Sequence, residues 1–128
     1  MARVLVVDDD WGVRDMLSLT LRAEGIEVDA VGSGRAALQA LSRATTEGRM
    51  YDAMVLDIIM PGIDGWQVLE AVRANPLWRD MPVVVISGVA RSAKDIVRVS
   101  DYDGTFVDKI GDFSAAVKSV LGRVVNAA

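Results

Sequence analysis

The sequence predicts an α/β fold, a doubly wound five-stranded parallel sheet with helices on both of its faces. The chain has 128 residues, of which 52% are hydrophobic and 25% charged, and this suits one domain with a substantial core. Short apolar runs alternate with longer segments in which apolar residues recur with helical period. The runs at residues 4–7, 53–56 and 83–86 are continuously apolar, which is typical of strands buried on both faces. Such alternation favours parallel strands joined by right-handed crossovers.

The first half of the chain contains two predicted strands and two predicted helices. After the first strand, a helix is predicted over residues 11–24, because its apolar positions share one face, and Gly25 is its predicted C-terminal cap. A second strand over residues 26–31 precedes a helix over residues 34–44. The polar run 44–49 is predicted to be a connection.

The second half contains three more predicted strands and three more helices. A loop rich in proline and glycine, residues 60–65, follows the third strand, and the helix after it stops before Pro76. Asp112 is the predicted N-cap of the final helix. The strands are predicted at residues 53–56, 83–86 and 105–107, and the helices at 66–74, 92–99 and 112–125.

Composition and charge exclude several classes of function. The chain contains no cysteine and no histidine, which excludes disulfides, thiol nucleophiles, the usual structural zinc sites and catalysis by a histidine of this chain. Its net charge is −4, whereas a nonspecific binder of nucleic acid is usually basic. No run approaches the ~20 apolar residues of a membrane helix, and the first ten residues lack the pattern of a signal peptide. We therefore expect a cytoplasmic protein whose partners are neither nucleic acid nor membrane.

Charged and polar side chains follow four of the five predicted strands. Asp8 and Asp9 follow the first strand, Asp57 the third, Ser87 the fourth and Lys109 the fifth. Open parallel sheets bind ligands beyond the carboxyl ends of their strands, so these are the candidate functional residues. Neighbouring carboxylates repel each other unless a cation lies between them, and their oxygens suit Mg²⁺. A carboxylate also attacks phosphorus to form an aspartyl phosphate, with the metal, Ser87 and Lys109 neutralising charge on the phosphoryl group.

Each of these residues also has a simpler interpretation. Asp8 and Asp9 would favour the dipole at a helix N-terminus, and Ser87 would be an ordinary strand-end hydroxyl. A surface lysine is usually only solvated, but Lys109 is one of three lysines in a chain with eleven arginines, which favours a specific role. The Met-Pro-Gly loop after Asp57 argues against a plain turn residue at that position.

Four segments, taken in order, carry a resemblance to a known family. They are VLVVDDD, DAMVLDIIMPGIDGWQVL, PVVVISG and TFVDK, with 30 positions from Asp57 to Ser87 and 22 from Ser87 to Lys109. On these motifs the chain resembles the receiver domain of response regulators, the CheY-like family of two-component signalling. The resemblance covers residues 1–128 and implies one receiver domain with a flavodoxin-like fold and strand order 2-1-3-4-5.

The resemblance implies a role for each of the three clustered acidic residues. Asp57 would be the phosphoacceptor. Asp8 and Asp9 would hold Mg²⁺ together with Asp57 and the backbone carbonyl of Ile59.

The resemblance also implies roles for residues around the phosphoacceptor. Ser87 would sense the phosphoryl group, and Lys109 would pair first with Asp57 and then with a phosphoryl oxygen. Gly88 would leave room beside the phosphorylation site. Phe106 occupies the aromatic switch position of the family, although a lone aromatic residue on a strand is more often core packing.

Two positions that flank the phosphoryl group in the family are apolar in this sequence. They are Ile59, two residues after Asp57, and Val89, two residues after Ser87. Neither side chain is able to orient a hydrolytic water through a hydrogen bond. We therefore predict slow self-dephosphorylation.

The sequence departs from the family pattern in three places. Lys109 is followed by Ile110 and Gly111, where the family usually has proline and commonly a cis bond, so we expect either a trans bond with a rebuilt loop or strain absorbed by Gly111. Residues 89–104 lack the usual alanine-rich fourth helix, and part of residues 99–104 is expected to be irregular. The connection near residues 45–49 is longer than in compact members.

The resemblance implies a phosphorylation-dependent signalling switch. A sensor histidine kinase or histidine phosphotransfer protein would donate the phosphoryl group to Asp57 in an Mg²⁺-dependent reaction that this domain catalyses on itself. An output protein would then recognise the altered surface of the fourth helix, fifth strand and fifth helix. We expect slow loss of the phosphoryl group and no turnover of an independent substrate. Two alternatives stay open: a receiver that binds a protein without phosphorylation, and an aspartate-nucleophile phosphatase, which typically has a second acid at the position of Ile59.

Overall fold

Five strands alternate with five helices in the computed structural model, which describes residues 2–88 and 93–125. The strands are β1 (Arg3–Val7), β2 (Glu27–Val31), β3 (Ala53–Asp57), β4 (Val83–Ser87) and β5 (Thr105–Asp108). The helices are α1 (Trp11–Arg22), α2 (Gly34–Glu47), α3 (Gly65–Ala74), α4 (Ala93–Asp101) and α5 (Phe113–Val125). The predicted alternation is therefore confirmed.

All five strands are parallel and lie in the order β2-β1-β3-β4-β5, so the predicted fold class and strand order are confirmed. β1 lies between β2 and β3, which is the point where the strand order reverses. The carboxyl ends of β1 and β3 consequently lie side by side, and this is where a sheet of this kind binds ligands.

The core has two layers, one on each face of the sheet. Successive strand residues point to opposite faces, so Leu5 and Val7 pack with α2, α3 and α4, while Val4 and Val6 pack with α1 and α5. All four side chains are completely buried. Both faces of the central strands are thus covered, which explains why their sequences are continuously apolar rather than alternating.

The end of α2 corrects one prediction. The helix continues to Glu47, so most of the predicted polar connection is helical, and Gly48 ends it in the left-handed region with a φ of 68°. Thr45 does not break the helix because its hydroxyl donates to the Leu41 carbonyl at 2.9 Å and accepts from Nε1 of Trp78 at 2.8 Å. A tertiary contact with a buried tryptophan therefore stabilises a turn that looks like a loop in the sequence.

Two other predicted boundaries are also shifted. α1 ends at Arg22, two residues before the predicted end. Gly25 closes it in the left-handed region with a φ of 78°, because the Gly25 N–H donates to the Arg22 carbonyl at 3.0 Å and the Ile26 N–H donates to the Leu21 carbonyl at 3.2 Å, so the predicted glycine cap is confirmed. α4 continues to Asp101 rather than ending at residue 99, and Asp103 turns the chain with a φ of 56°. The predicted start of this helix at Ser92 lies outside the described residues.

The free edge of β2 is partly covered by an arginine. Alternate residues of a parallel strand direct their backbone groups toward the same neighbour. The Asp8 N–H donates to the Val31 carbonyl at 3.2 Å, so Val31 faces β1 and Val28 faces outward. Nη2 of Arg22 donates to the Val28 carbonyl at 3.0 Å and satisfies this outward group.

Among the helices of the described residues, none is long and apolar enough to cross a membrane.

Candidate active site

Three carboxylates converge at the carboxyl ends of the neighbouring strands β1 and β3. Asp8 and Asp9 directly follow β1, and Asp57 is the last residue of β3. An oxygen of each lies within 4.8 Å of an oxygen of the other two. Asp8 and Asp57 are buried, whereas Asp9 is exposed. The structure therefore brings together the three acidic residues that the sequence analysis selected.

Lys109 extends into this cluster from the end of the edge strand β5. Its Nζ lies 2.6 Å from Oδ2 of Asp8 and 3.4 Å from Oδ2 of Asp57. The lysine follows β5, two strands away from β3, and its N–H donates to the Ser87 carbonyl at 3.0 Å. The backbone beyond β5 is thereby held against the end of β4, and the lysine side chain contacts both buried carboxylates.

Burial and mutual repulsion make the ionised form of Asp57 costly. Burial and the charge of Asp8 raise the pKa of Asp57 to about 6, against the opposing effects of Lys109 and of the Ile59 N–H. Burial lowers the pKa of Lys109, but its hydrogen bonds and charge interactions with Asp8 and Asp57 outweigh that effect and raise it. The lysine therefore stays charged at neutral pH, and its ammonium contacts two of the three carboxylates.

The donor set of this cluster fits a hard divalent cation. Every donor is a carboxylate oxygen, which is the ligand type of Mg²⁺. Oδ2 of Asp8 is completely buried, and the Lys109 ammonium lies 2.6 Å from it. A buried carboxylate oxygen with a single cationic neighbour, beside two further carboxylates, is suited to such an ion.

The turn that carries Asp8 and Asp9 is held by several backbone contacts. The Asp10 N–H donates to Oδ1 of Asp8 at 2.9 Å, and Asp10 in turn caps α1 by accepting the Val13 N–H at 3.2 Å. Nη1 of Arg14 donates to the Asp8 carbonyl at 2.7 Å. The cap role of Asp10 follows from its sequence position, but the contact of Arg14 depends on tertiary approach and has no signal in the sequence pattern.

The loop after Asp57 packs closely against the end of β3. A Cβ at Gly65, the first residue of α3, would lie 2.2 Å from the Asp57 carbonyl oxygen and 2.5 Å from Cα of Ile58. The Gly65 N–H also donates to the Ile58 carbonyl at 2.9 Å. The sequence predicted a loop here but not this close approach, which only a glycine permits.

The remaining predicted site residues lie around this cluster. Ser87 is the buried last residue of β4, one position beyond the pair formed by Asp57 and Ile86. Gly88 is exposed, and a Cβ there would meet Cδ of Lys109 at an ordinary 3.7 Å. Phe106 is partly buried against the core layer of α2, α3 and α4, and Ile59 is 55% exposed. Val89 lies outside the described residues.

The altered segment after Lys109 keeps an ordinary backbone. The peptide bonds of the described residues include no cis bond, so the bond between Lys109 and Ile110 is trans. Gly111 adopts a φ of 55°, a region that favours glycine, and Ile110 is exposed. Of the two predicted possibilities, the structure shows the trans bond, and Lys109 still contacts both carboxylates.

Comparisons with known proteins agree with this arrangement. The family model of the response regulator receiver domain matches residues 4–118. The transcriptional regulatory protein PrrA of Mycobacterium tuberculosis is 48% identical over 93 residues, which cover 73% of this chain and 36% of PrrA. The transcriptional regulatory protein TcrA of the same organism is 34% identical over 102 residues, which cover 80% of this chain and 36% of TcrA. This chain therefore spans about a third of the length of these curated relatives.

A solved structure extends the similarity over nearly the whole fold. The chemotaxis protein CheY4 of Vibrio cholerae superposes with a TM-score of 0.80 at 29% sequence identity, covering 97% of this chain and 98% of CheY4.

Proposed function

This chain belongs to the response regulator receiver family of two-component signalling, and on that premise we propose that it is a phosphorylation-dependent switch whose phosphoacceptor is Asp57. The observation that carries the proposal is the Lys109 ammonium, which lies 2.6 Å from the buried Asp8 and 3.4 Å from the buried Asp57 in the carboxylate cluster. Residues 1–128 would act as one receiver domain.

The proposed reaction is transfer of a phosphoryl group from a phosphohistidine to Asp57. A carboxylate oxygen of Asp57 attacks phosphorus, the new P–O bond forms as the P–N bond breaks, and the bonding electron pair stays on the departing imidazole. The product is an acyl phosphate on Asp57. Mg²⁺, held by Asp8, Asp9, Asp57 and the Ile59 carbonyl, supplies positive charge at the phosphoryl oxygens when bound.

Lys109 and Ser87 would respond to the new group. The phosphoryl oxygens bring negative charge to Asp57, so the ammonium of Lys109 moves its contact from the carboxylate to one of them. The Ser87 hydroxyl, at the end of β4, donates a hydrogen bond to another. Because α4 follows Ser87 and β5 pairs with β4, this contact biases the surface of α4, β5 and α5, with Phe106 as the aromatic switch residue.

The phosphoryl donor must be another protein or another domain, because this chain has no histidine. We propose a sensor histidine kinase or a histidine phosphotransfer protein as the donor, with an output protein or domain as the target. Mg²⁺ is the proposed cofactor, and the cytoplasm is the proposed location.

The two other functions have less support. The altered segment after Lys109 is the feature that favours a receiver without phosphorylation, yet the lysine contacts both carboxylates. An aspartate-nucleophile phosphatase would have a second acid at residue 59, where this chain has an isoleucine.

Intact-mass measurement after incubation with Mg²⁺ and phosphoramidate tests the proposal. One added phosphoryl group is expected, absent with EDTA and absent in Asp57→Asn. Asp15→Asn, which removes an exposed carboxylate of α1, is the matched control and should be labelled normally. A folded protein that gains no phosphoryl group would support the phosphorylation-independent receiver. Continuous hydrolysis of phosphate monoesters would support the phosphatase.

A further inference from the structure

Arg14 contacts the backbone of the carboxylate cluster without belonging to it. The residue lies in the first turn of α1, and its half-buried side chain extends back toward β1. Nη1 donates to the Asp8 carbonyl at 2.7 Å, which is a short, charge-assisted hydrogen bond.

The Asp8 carbonyl requires such a donor because the strand has already ended. β1 stops at Val7, whose partner in β2 is Val31, and the Asp8 N–H makes the last bond to β2. The carbonyl of Asp8 points beyond this ladder. A buried carbonyl without a partner is destabilising, so a side chain that satisfies it also fixes the direction of the chain into Asp9.

Gly32 provides the space in which the Arg14 side chain lies. A Cβ on Gly32 would lie 2.9 Å from Nη1 of Arg14 and 3.4 Å from its Cζ. The obstructed atoms are the flexible end of a side chain rather than backbone. An alanine at this position would therefore displace the guanidinium while leaving its charge on the protein.

We propose that Arg14, seated over Gly32, is a positioning residue of the metal and phosphoryl site. By holding the Asp8 carbonyl, it fixes the turn in which Asp8 and Asp9 present their carboxylates beside Asp57. The inference rests on the proposed function, because the geometry it maintains is that of the Mg²⁺ ligands.

A purely electrostatic role for Arg14 predicts the opposite effect. If the arginine were only a nearby positive charge, its removal would strengthen Mg²⁺ binding by relieving repulsion of the cation. If it only stabilised the fold, its removal would leave the Mg²⁺ affinity of the folded protein unchanged. A positioning role predicts weaker Mg²⁺ binding.

The experiment compares Arg14→Met, Gly32→Ala and the double variant with the wild type. Mg²⁺ affinity is measured by isothermal titration, and exchange of the Asp10 amide proton is followed by NMR without metal. We expect about tenfold weaker Mg²⁺ binding in each single variant, at the lower end of the 10- to 100-fold losses known for residues that support metal ligands. The Asp10 N–H, bonded to Oδ1 of Asp8, should exchange faster in both. Arg43→Met removes an exposed arginine that lines, together with Arg14, a cleft of about 630 Å³, and it should change neither quantity.

The double variant tests whether Arg14 and Gly32 act through the same contact. Once Arg14 is methionine, Gly32→Ala should weaken Mg²⁺ binding no further, because both changes remove the same contact. Unchanged or tighter Mg²⁺ binding in folded Arg14→Met, or additive losses in the double variant, would overturn the proposal. If the wild type neither binds Mg²⁺ nor accepts phosphate, the proposed function fails, while the Asp10 exchange rates still decide whether Arg14 and Gly32 hold the turn.

Discussion

At the scale of single residues, the ionisation of Asp57 opposes folding in the absence of metal. Its pKa is raised to about 6 from an ordinary value of 3.8, so between these two values the folded state holds a proton that the unfolded state has released. The contribution of Asp57 to stability therefore falls as pH rises through this window.

Asp57→Asn should consequently stabilise the metal-free protein at pH 7. A shift of this size corresponds to about 1–3 kcal/mol in the free energy of unfolding, and most of the gain should be lost by pH 4. Urea unfolding in EDTA at both pH values measures it. The matched change Asp8→Asn should be destabilising, because Asp8 provides the 2.6 Å contact of Lys109 and accepts the Asp10 N–H. An Asp57→Asn protein less stable than the wild type at pH 7 would contradict this account.

Ile59 is the residue that we expect to control the lifetime of the phosphorylated state. Its side chain is 55% exposed, so an asparagine fits without disturbing the core. Ile59→Asn, alone or with Val89→Glu, should shorten the half-life of the acyl phosphate several-fold, because a polar side chain orients the attacking water. Intact mass, followed after removal of the donor, gives the half-life. Ile110→Asn, a similar change beside Lys109, should leave it unaltered, and equal half-lives in all variants would refute the role of Ile59.

The residues of the candidate site differ in how far the sequence alone identified them. Asp8, Asp9, Asp57 and Lys109 were predictable because the strand pattern placed them at one sheet edge. The contribution of Arg14 was not predictable, since it depends on a side chain folding back over a glycine of another loop. Strand order brings the first set together, whereas only tertiary packing brings Arg14 to Asp8.

At the scale of elements, the start of α3 fixes the position of Asp57. Gly65→Ala would force a Cβ to within 2.2 Å of the Asp57 carbonyl oxygen, so the helix must move away from β3. We expect a loss of about 1–3 kcal/mol in the free energy of unfolding, because the obstructing atoms are backbone and cannot rotate aside. Urea unfolding tests this. Gly88→Ala is the control, since its Cβ would make only an ordinary contact with Lys109, and its effect should stay within about 0.5 kcal/mol.

The helix ends show why element boundaries were harder to predict than the elements. The residues that extend α2 are polar, and polarity alone predicts a connection. Their helical state depends on Trp78, which is 33 residues beyond Thr45 in the chain and donates to its hydroxyl. A contact at that separation leaves no trace in local periodicity.

At the scale of the whole molecule, occupancy of the carboxylate cluster should be coupled to folding. Mg²⁺ that binds only the folded protein stabilises it by about 2.7 kcal/mol when its free concentration is 100 times Kd. We expect added Mg²⁺ to raise the melting temperature at pH 7 and to raise it less at pH 5, because a proton on Asp57, with its pKa of about 6, competes with the cation. Calorimetry at the two pH values measures this. Asp9→Asn should reduce the rise in melting temperature caused by Mg²⁺, whereas Asp15→Asn should not. A melting temperature that Mg²⁺ does not change at pH 7 would contradict the proposed site.

The architecture of the molecule followed from the sequence more completely than any single contact did. Strict alternation of strands and helices allows few topologies, and continuous apolar runs require both faces of the sheet to be covered. The two core layers fulfil this requirement, with Val4 and Leu5 buried on opposite faces. Because this pattern extends over the whole chain, it predicts the fold correctly even where a single boundary, such as the end of α2, is predicted wrongly.

The arginine on the free edge of β2 has a consequence for how the protein behaves in concentrated solution. Sheet edges recruit further strands and seed aggregates when they are long and unprotected. The two edge strands have only five and four residues, and in β2 the outward carbonyl of Val28 is already bonded to Arg22. A second molecule that approached this edge would have to displace a charged side chain to gain one hydrogen bond. The fold thus resists fibril-like stacking at the β2 edge.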